Sequence, residues 1–343
     1  MVLQYRFVGL VALFAATLGS ARADQLNLGA AAGYNVFSLN NLSMYSTTIQ
    51  GKVAVGGAFA PSGGGLSLAT GSHDGTGVYD LVVAGNFTMS AYSMAGGDIF
   101  VGGNMTWNNP STSNNIYVAG NFTDTGGGNT GTVYYGGTYN GPGYLSHVSK
   151  SASSMPTPID FLTAKTNLES LSTTLAGDAP NGTVSSSGST WTLTGASSSL
   201  NVFNLSASSY SGATININAP AGSTVVVNIA GSADSFSGGS INLTGVSASN
   251  VIYNFNTATT LSLSSIAFYG TILAPLADFT GSGGQINGQL IAKSVAGTTS
   301  MSDTEFAGTL GAATATPEPS TWLLFLAGAG VFSFTYFSRR RVR

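Results

Sequence analysis

Few residues of this chain have the types and spacing for chemistry. Asp74 with Asp80, and Asp98 with Asp124, are the only carboxylate pairs spaced to be neighbours on successive turns of a repeat. A glycoside hydrolase needs two carboxylates about 5–9 Å apart. A single Asp in a Gly-rich turn more commonly bonds its own backbone, so these pairs are the sole candidates for a hydrolase or lyase rather than an expected active site. The bases available are Lys52, Lys150, Lys165 and Lys293, which read as edge, turn or helix residues. His73 and His147 are the only histidines, and His73-Asp74 sits in a Gly-rich loop that reads as a turn. No His-Glu-x-x-His, cysteine cluster or calcium loop is present, and Gly96-Gly97-Asp98-Ile99 lacks a repeated nonapeptide. No metal, cofactor or catalytic residue is expected. Trp107, Tyr134 and Tyr135 are rings that could stack on sugars, with core packing an equal alternative at each, so no binding residue is assigned.

The remaining chemistry is processing at the two ends. Arg6 precedes an apolar run from Phe7 to Leu18, shorter than the ~20 residues of a spanning helix. Ala21 and Ala23 then stand at the −3 and −1 positions of a signal-peptidase site. Residues 1–23 are therefore expected to be a cleaved signal peptide. At the other end Pro317-Glu318-Pro319 leads into an apolar stretch from Trp322 to Phe337, closed by Arg339, Arg340, Arg341 and Arg343. This predicts a membrane-spanning helix whose basic end stays in the cytoplasm, with Trp322 and Tyr336 at the two interfaces.

Between these ends the composition is unusual. Residues 24–316 hold four lysines and no arginine against twelve acids, a net charge of −8. Such a body cannot build the basic footprint of a nucleic-acid binder. The 343-residue chain has no cysteine, 47 glycines and only 7% charged residues, yet 43% of it is hydrophobic. Disordered chains usually have low hydrophobicity, whereas here the apolar residues are abundant and alternate with small polar ones, so a folded, strand-rich body held together without disulfides is expected.

That body is repetitive. The segments 53–59, 81–87, 99–105, 116–122 and 133–139 share the order apolar, any, Val or Tyr, small, Gly, small or polar, apolar. Their glycines, Gly57, Gly85, Gly103, Gly120 and Gly137, are spaced by 28, 18, 17 and 17 residues. Such a period is too short for helical repeats and suits one coil of a β-solenoid, with coils stacked at about 4.8 Å. Val and Phe would point inward, Gly and Asn would turn the corner with positive φ, and Asn86, Asn104 and Asn121 would stack as a ladder. The Asn-x-Thr triplets such as Asn86-Phe87-Thr88 read as consequences of composition. From Thr190 to Lys293 further short β-branched segments follow at looser spacing. Thr190, Thr192 and Thr194 alternate, but no sustained threonine row is visible. One amphipathic helix is predicted over about 158–176, capped by Thr157 with Pro158 at its first position, lying on the solenoid's flank.

Two resemblances extend this reading. The tail, with Pro317-Glu318-Pro319, an apolar helix and an Arg cluster in that order, resembles the PEP-CTERM sorting signal of Gram-negative bacteria. That implies cutting by an exosortase and an association with extracellular polysaccharide and biofilm matrix. The body, through 34–59, the helix at 157–176, and 250–275 with 286–294, is similar to the choice-of-anchor A family, whose members join one adhesive, β-helical surface domain to different anchors. The stretches Phe268-Tyr269-Gly270-Thr271 and Ile286-Asn287-Gly288-Gln289 are also similar to strands of bacterial ice-binding β-solenoids.

The expected protein is thus all-β: a signal peptide (1–23), a solenoid body with one flanking helix (24–312) and a sorting and anchoring tail (313–343) with a C-terminal transmembrane helix. Its expected role is non-enzymatic, an exported adhesive or structural protein of the cell surface or matrix, tethered in the inner membrane until an exosortase acts. Its expected partners are that enzyme, the membrane and extracellular polysaccharide. An ice-binding-like surface protein is the alternative, and a polysaccharide-active enzyme a lesser one.

Overall fold

The computed structural model describes residues 27–310 except 62, 72–78, 91–92, 95–96, 109–114, 127–130, 142–147, 151–154 and 207–208. The signal peptide with Ala21 and Ala23, the sorting residues Pro317, Glu318 and Pro319, the apolar tail, and Arg339, Arg340, Arg341 and Arg343 lie outside the described residues, as do His73, Asp74 and His147. Among the described residues no helix is long and apolar enough to cross a membrane.

The repeat is a coil of a three-sided solenoid. Copies pair in parallel and in register: Val53 with Leu81, Leu81 with Ile99, Ile99 with Ile116, and Ile116 with Val133. One step later in each coil, Phe87, Met105, Phe122 and Tyr139 form a second parallel ladder. Alternation sends one side chain in two inward, so Phe59 stacks on Phe87 at 4.9 Å and Phe122 on Tyr139 at 5.7 Å inside the coil. The second half winds in larger coils. There Ile215 pairs with Ile241 and Val225 with Val251, each 26 residues on.

The corner glycines act by close approach, not by the expected positive φ, which none of Gly57, Gly85, Gly103, Gly120 and Gly137 adopts. A Cβ on Gly103 would lie 2.5 Å from Asn86 Oδ1 and 2.6 Å from the Gly85 carbonyl group. The corner asparagines do form a ladder, and each rung joins a side chain to the next coil's main chain. Asn86 Oδ1 accepts from Asn104 N at 2.8 Å, Asn104 Oδ1 from Asn121 N at 2.9 Å, and Asn121 Oδ1 from Thr138 N at 2.9 Å.

The order of strands in the first sheet is not the order of the chain. Val36–Ser38, the first strand, lies in the middle, paired with Val53–Val55 on one side and Leu290–Gly297 on the other. The chain therefore starts at mid-solenoid and winds outward to Val148–Lys150. The helix Phe161–Gly177 then crosses the first sheet, from Phe161 beside Phe37 (5.3 Å) to Leu175, whose carbonyl accepts from Asn228 at the far half. The chain re-enters at the far end and winds back until Leu290 meets Val36. Asn35 seals that seam by donating to the carbonyls of Gly288 and Ser302, and Gln289 by donating to those of Ala32 and Tyr34.

The helix starts three residues later than the sequence predicts. Asp160, not Thr157, is the cap, accepting from Leu162 N at 3.1 Å and Thr163 N at 3.0 Å. An Asp carboxylate after Pro158-Ile159 satisfies two of the open N–H groups of the first turn, and these bonds, Thr163's first, hold its pKa below the usual carboxylate value. The helix buries Ala164, Leu168, Leu171 and Leu175 against Val226, Ile252, Leu273 and Ile291, which point outward from the first sheet.

Candidate functional site

With the helix over the first sheet, two faces of the solenoid remain to meet a partner. The second sheet runs Tyr139–Asn140, Phe122–Asp124, Met105–Asn108, Phe87–Ser90, then through Phe59 to Leu42–Met44. It continues along the second parts of Leu290–Gly297 and Thr271–Ser282 to Thr260–Ser264 and Ala233–Ser237. Its inward positions carry Phe122, Met105, Phe87, Phe59, Leu42, Val295, Phe279 and Leu261. The residue after each points outward, giving the row Thr123, Thr106, Thr88, Ala60, Ser43, Ala296, Thr280, Ser262 and Ser235. At the parallel-strand spacing this row spans about 40 Å.

Every member of that row is a hydroxyl or a methyl, and all are exposed or half-exposed. Beside the row, Asp278, in register with Ser294, and Lys293 neutralise one another at 2.8 Å. Bonding to Lys293 first, and then to Ser294 Oγ, holds the Asp278 pKa below its ordinary value. Directly inward of the row, Asp234 is 2% exposed, and neither carboxylate oxygen has a partner among the described residues. Burial pushes its pKa up.

The third sheet forms two ladders. One contains Thr183–Ser187, Thr190–Thr194, Thr214–Asn218 and Ser240–Thr244; the other runs from Ala267–Tyr269 through Gln285–Asn287 and Ser300–Ser302 to Thr48–Ile49, Ser67–Leu68 and Ser93–Met94. Thr190, Thr192 and Thr194, expected to begin no sustained row, each begin one across the strands. Thr190 aligns with Thr214 and Ser240, Thr192 with Asn216 and Asn242, and Thr194 with Asn218 and Thr244. Asn242 Nδ2 donates to Asn216 Oδ1 at 2.9 Å.

Of the two carboxylate pairs considered for catalysis, Asp98 and Asp124 are not brought together, and Asp74 of the other pair lies outside the described residues. Asp98 lies on the first sheet, in register with Tyr79, whereas Asp124 lies on the second, in register with Trp107. Each holds a corner: Asp80 Oδ2 accepts from Gly97 N, Asp98 Oδ1 from Asn115 N at 3.1 Å, and Asp124 Oδ1 from Gly126 N at 2.9 Å. Among the described residues no three potential metal ligands cluster. Trp107, 1% exposed, is core and offers no platform for sugars. Tyr134 is half-buried and stacks on Tyr117 at 5.1 Å, and Tyr135 leans on Tyr139 at 5.9 Å.

The signal for the hydroxyl row was present in the Asn-x-Thr triplets at 86–88, 104–106 and 121–123. They are not a by-product of composition. Asn is the corner rung, the middle residue enters the core and Thr faces out.

Residues 27–115 and 72–303 match the family described as "Putative Ice-binding-like adhesive domain", and residues 315–341 match the PEP-CTERM protein-sorting motif. No curated protein matches the chain. Solved structures similar to it include an ice-binding protein from the Antarctic ascomycete Antarctomyces psychrotrophicus, at 12% identity over 82% of this chain and 98% of that one, with a TM-score of 0.33. An ice-binding protein from an Antarctic biological consortium matches at 13% identity, 80% and 88% coverage and a TM-score of 0.29. One from an Arctic yeast matches at 11% identity, 84% and 98% coverage and a TM-score of 0.29.

Proposed function

The chain belongs to the family of ice-binding-like adhesive domains, and from that premise we propose that it is an exported adhesive protein that lays its second sheet against an extended, repetitive surface. The supporting observation is the row from Thr123 to Ser235, which offers one hydroxyl or methyl per coil on a rigid parallel ladder. Short side chains on a fixed backbone lose little conformational freedom on binding. Many weak contacts made together then suffice. Extracellular polysaccharide is the surface we assign, because hydroxyls can exchange hydrogen bonds with hydroxyls and the row presents no charge to exclude a neutral polymer.

The PEP-CTERM motif implies processing by an exosortase-type enzyme and indicates export to the surface or extracellular space of a Gram-negative bacterium. In our reading, residues 1–23 are removed after Ala23, with Ala21 at −3. The stretch Trp322 to Phe337 holds the precursor in the inner membrane, with Arg339, Arg340, Arg341 and Arg343 as the cytoplasmic stop. Cutting near Pro317-Glu318-Pro319 then passes a non-enzymatic body to the matrix, in the manner of the choice-of-anchor A proteins. Ice is the second surface that the same regular Thr, Ser and Ala row suits.

The test is retention of the full chain, in detergent, on insoluble polysaccharide from the host's own matrix, compared with T106Y and T280Y variants that break the row. Loss of retention in both variants with an unchanged melting temperature supports the proposal. Retention that both variants keep overturns the role of this face. Loss of ice-recrystallisation inhibition in the variants, with polysaccharide retention absent throughout, selects ice instead.

A further inference from the structure

The third sheet breaks at one place, and the cause lies in the coil lengths. Between the third and first sheets, one coil turns the corner with six residues, Gly245 to Asn250, including the short 3-10 turn Ala248–Asn250. In the next coil Gly270 alone, with φ +131°, makes the same corner. The long coil holds its strand Ser240–Thr244 off from the short coil's strand Ala267–Tyr269. Their Cα atoms approach within 8 Å, yet among the described residues they share no ladder. Ser240–Thr244 bonds Thr214–Asn218, and Ala267–Tyr269 bonds Gln285–Asn287. Between them lies a surface groove of about 550 Å³, within the range of ligand sites of about 300–1,000 Å³.

We propose that this groove is a binding subsite for a neutral polysaccharide chain. This deepens the adhesive reading and rests on it for the class of partner, but uses a different face. The floor is apolar, formed by Ile241, Leu243 and Val246. One rim carries Tyr269, 38% exposed, whose ring is held outward because the preceding Phe268 is locked inside against Tyr253 at 4.5 Å. An exposed aromatic ring at an apolar groove fits the C–H face of a pyranose. The other rim carries Ser240 and Asn242. The amide ladder from Asn216 ends there, and Asn242 Oδ1 is left as a free acceptor for a sugar hydroxyl.

Two observations select a neutral glycan over other occupants. Among the described residues, Tyr269 is the only ionisable side chain lining the groove, and the body's net charge of −8 repels a polyanion. A third strand would need two ladder spacings, about 9.6 Å, between the flanking strands. The gap is narrower, so the free backbone edges can meet a hydroxyl or a water but not an inserted peptide.

The experiment is affinity electrophoresis of the full chain in detergent through gels containing soluble neutral glucan, mannan or galactan, and through gels containing polygalacturonate. Retardation by at least one neutral polymer is expected, weakened at least tenfold in Y269A and N242A, with melting temperatures unchanged. T106Y, on the other face, is expected to keep this retardation, which separates failure of the groove from failure of the flat face. The proposal is overturned if no neutral polymer retards the chain, if only polygalacturonate does, or if Y269A binds like the parent. Binding confined to an extended peptide library would overturn it as well.

Discussion

Ser172 and Asn254 bond to each other twice beneath the helix: Ser172 Oγ donates to Asn254 Oδ1 at 2.5 Å, and Asn254 Nδ2 donates to the Ser172 carbonyl at 2.8 Å. Asn254 Nδ2 also donates to Asn228 Oδ1, and Asn228 Nδ2 to the Leu175 carbonyl, each at 2.8 Å. These fully buried polar groups fix the helix at one position along an otherwise apolar contact. Replacing Asn254 by Ala would leave the Ser172 hydroxyl and the Asn228 carbonyl without their partner. An N254A variant is expected to lose about 2–3 kcal/mol of stability, read from the midpoint of a urea transition at unchanged slope.

Gly103 sits where one coil's corner touches the next. A methyl group there would meet Asn86 Oδ1 and the Gly85 backbone at once. Backbone on a solenoid corner cannot yield without shifting a neighbouring coil. G103A is expected to cost about 1–3 kcal/mol. A melting temperature equal to that of the parent would refute the close-approach account.

Asp234 occupies an inward position, in register with Leu261. Burial raises its pKa above the unfolded value, so the folded state binds the proton more tightly than the unfolded chain does. Its penalty is therefore absent below the unfolded pKa of about 3.9, grows as pH rises through the folded pKa, and is complete above it. D234L is expected to stabilise the protein at pH 7 by about 1–3 kcal/mol, with a smaller gain at pH 3. Denaturant midpoints at the two values check the sign, and an equal gain at both would exclude a titration effect.

Replacing Pro317, Glu318 and Pro319 together by Ala removes the residues expected to direct tail processing while leaving the apolar stretch and Arg cluster intact. The variant is expected to remain in the inner-membrane fraction with its C-terminus complete. The parent is expected outside the cell without the tail. Mass spectrometry of the C-terminal peptide in each fraction decides this, and an intact tail on the parent at the cell surface would argue against release.

Much of the fold is legible because its period is local. The glycines at 85, 103, 120 and 137, the first three each followed by Asn, mark the corners, and alternation marks the inside. The hydroxyl rows are harder to read because they run at right angles to the chain. Thr88, Thr106 and Thr123 become neighbours only through pairing. The pairing of Val36 with Leu290 leaves no local trace at all, since parallel neighbours need share nothing but apolar character. The groove beside Tyr269 depends on a change in coil length, which looks in the sequence like irregular spacing.

The mid-solenoid seam also imposes a delay. Val36 reaches the outside early, but its partner Leu290 follows 254 residues later. At roughly 5–20 residues per second of synthesis, one edge of the first strand waits on the order of 13–50 s for its ladder. Until then the growing half-solenoid presents a parallel edge that any similar strand could occupy. The demand on the cell is therefore one of timing, and a chaperone or a low local concentration of nascent copies during that interval would protect the yield of correctly closed protein.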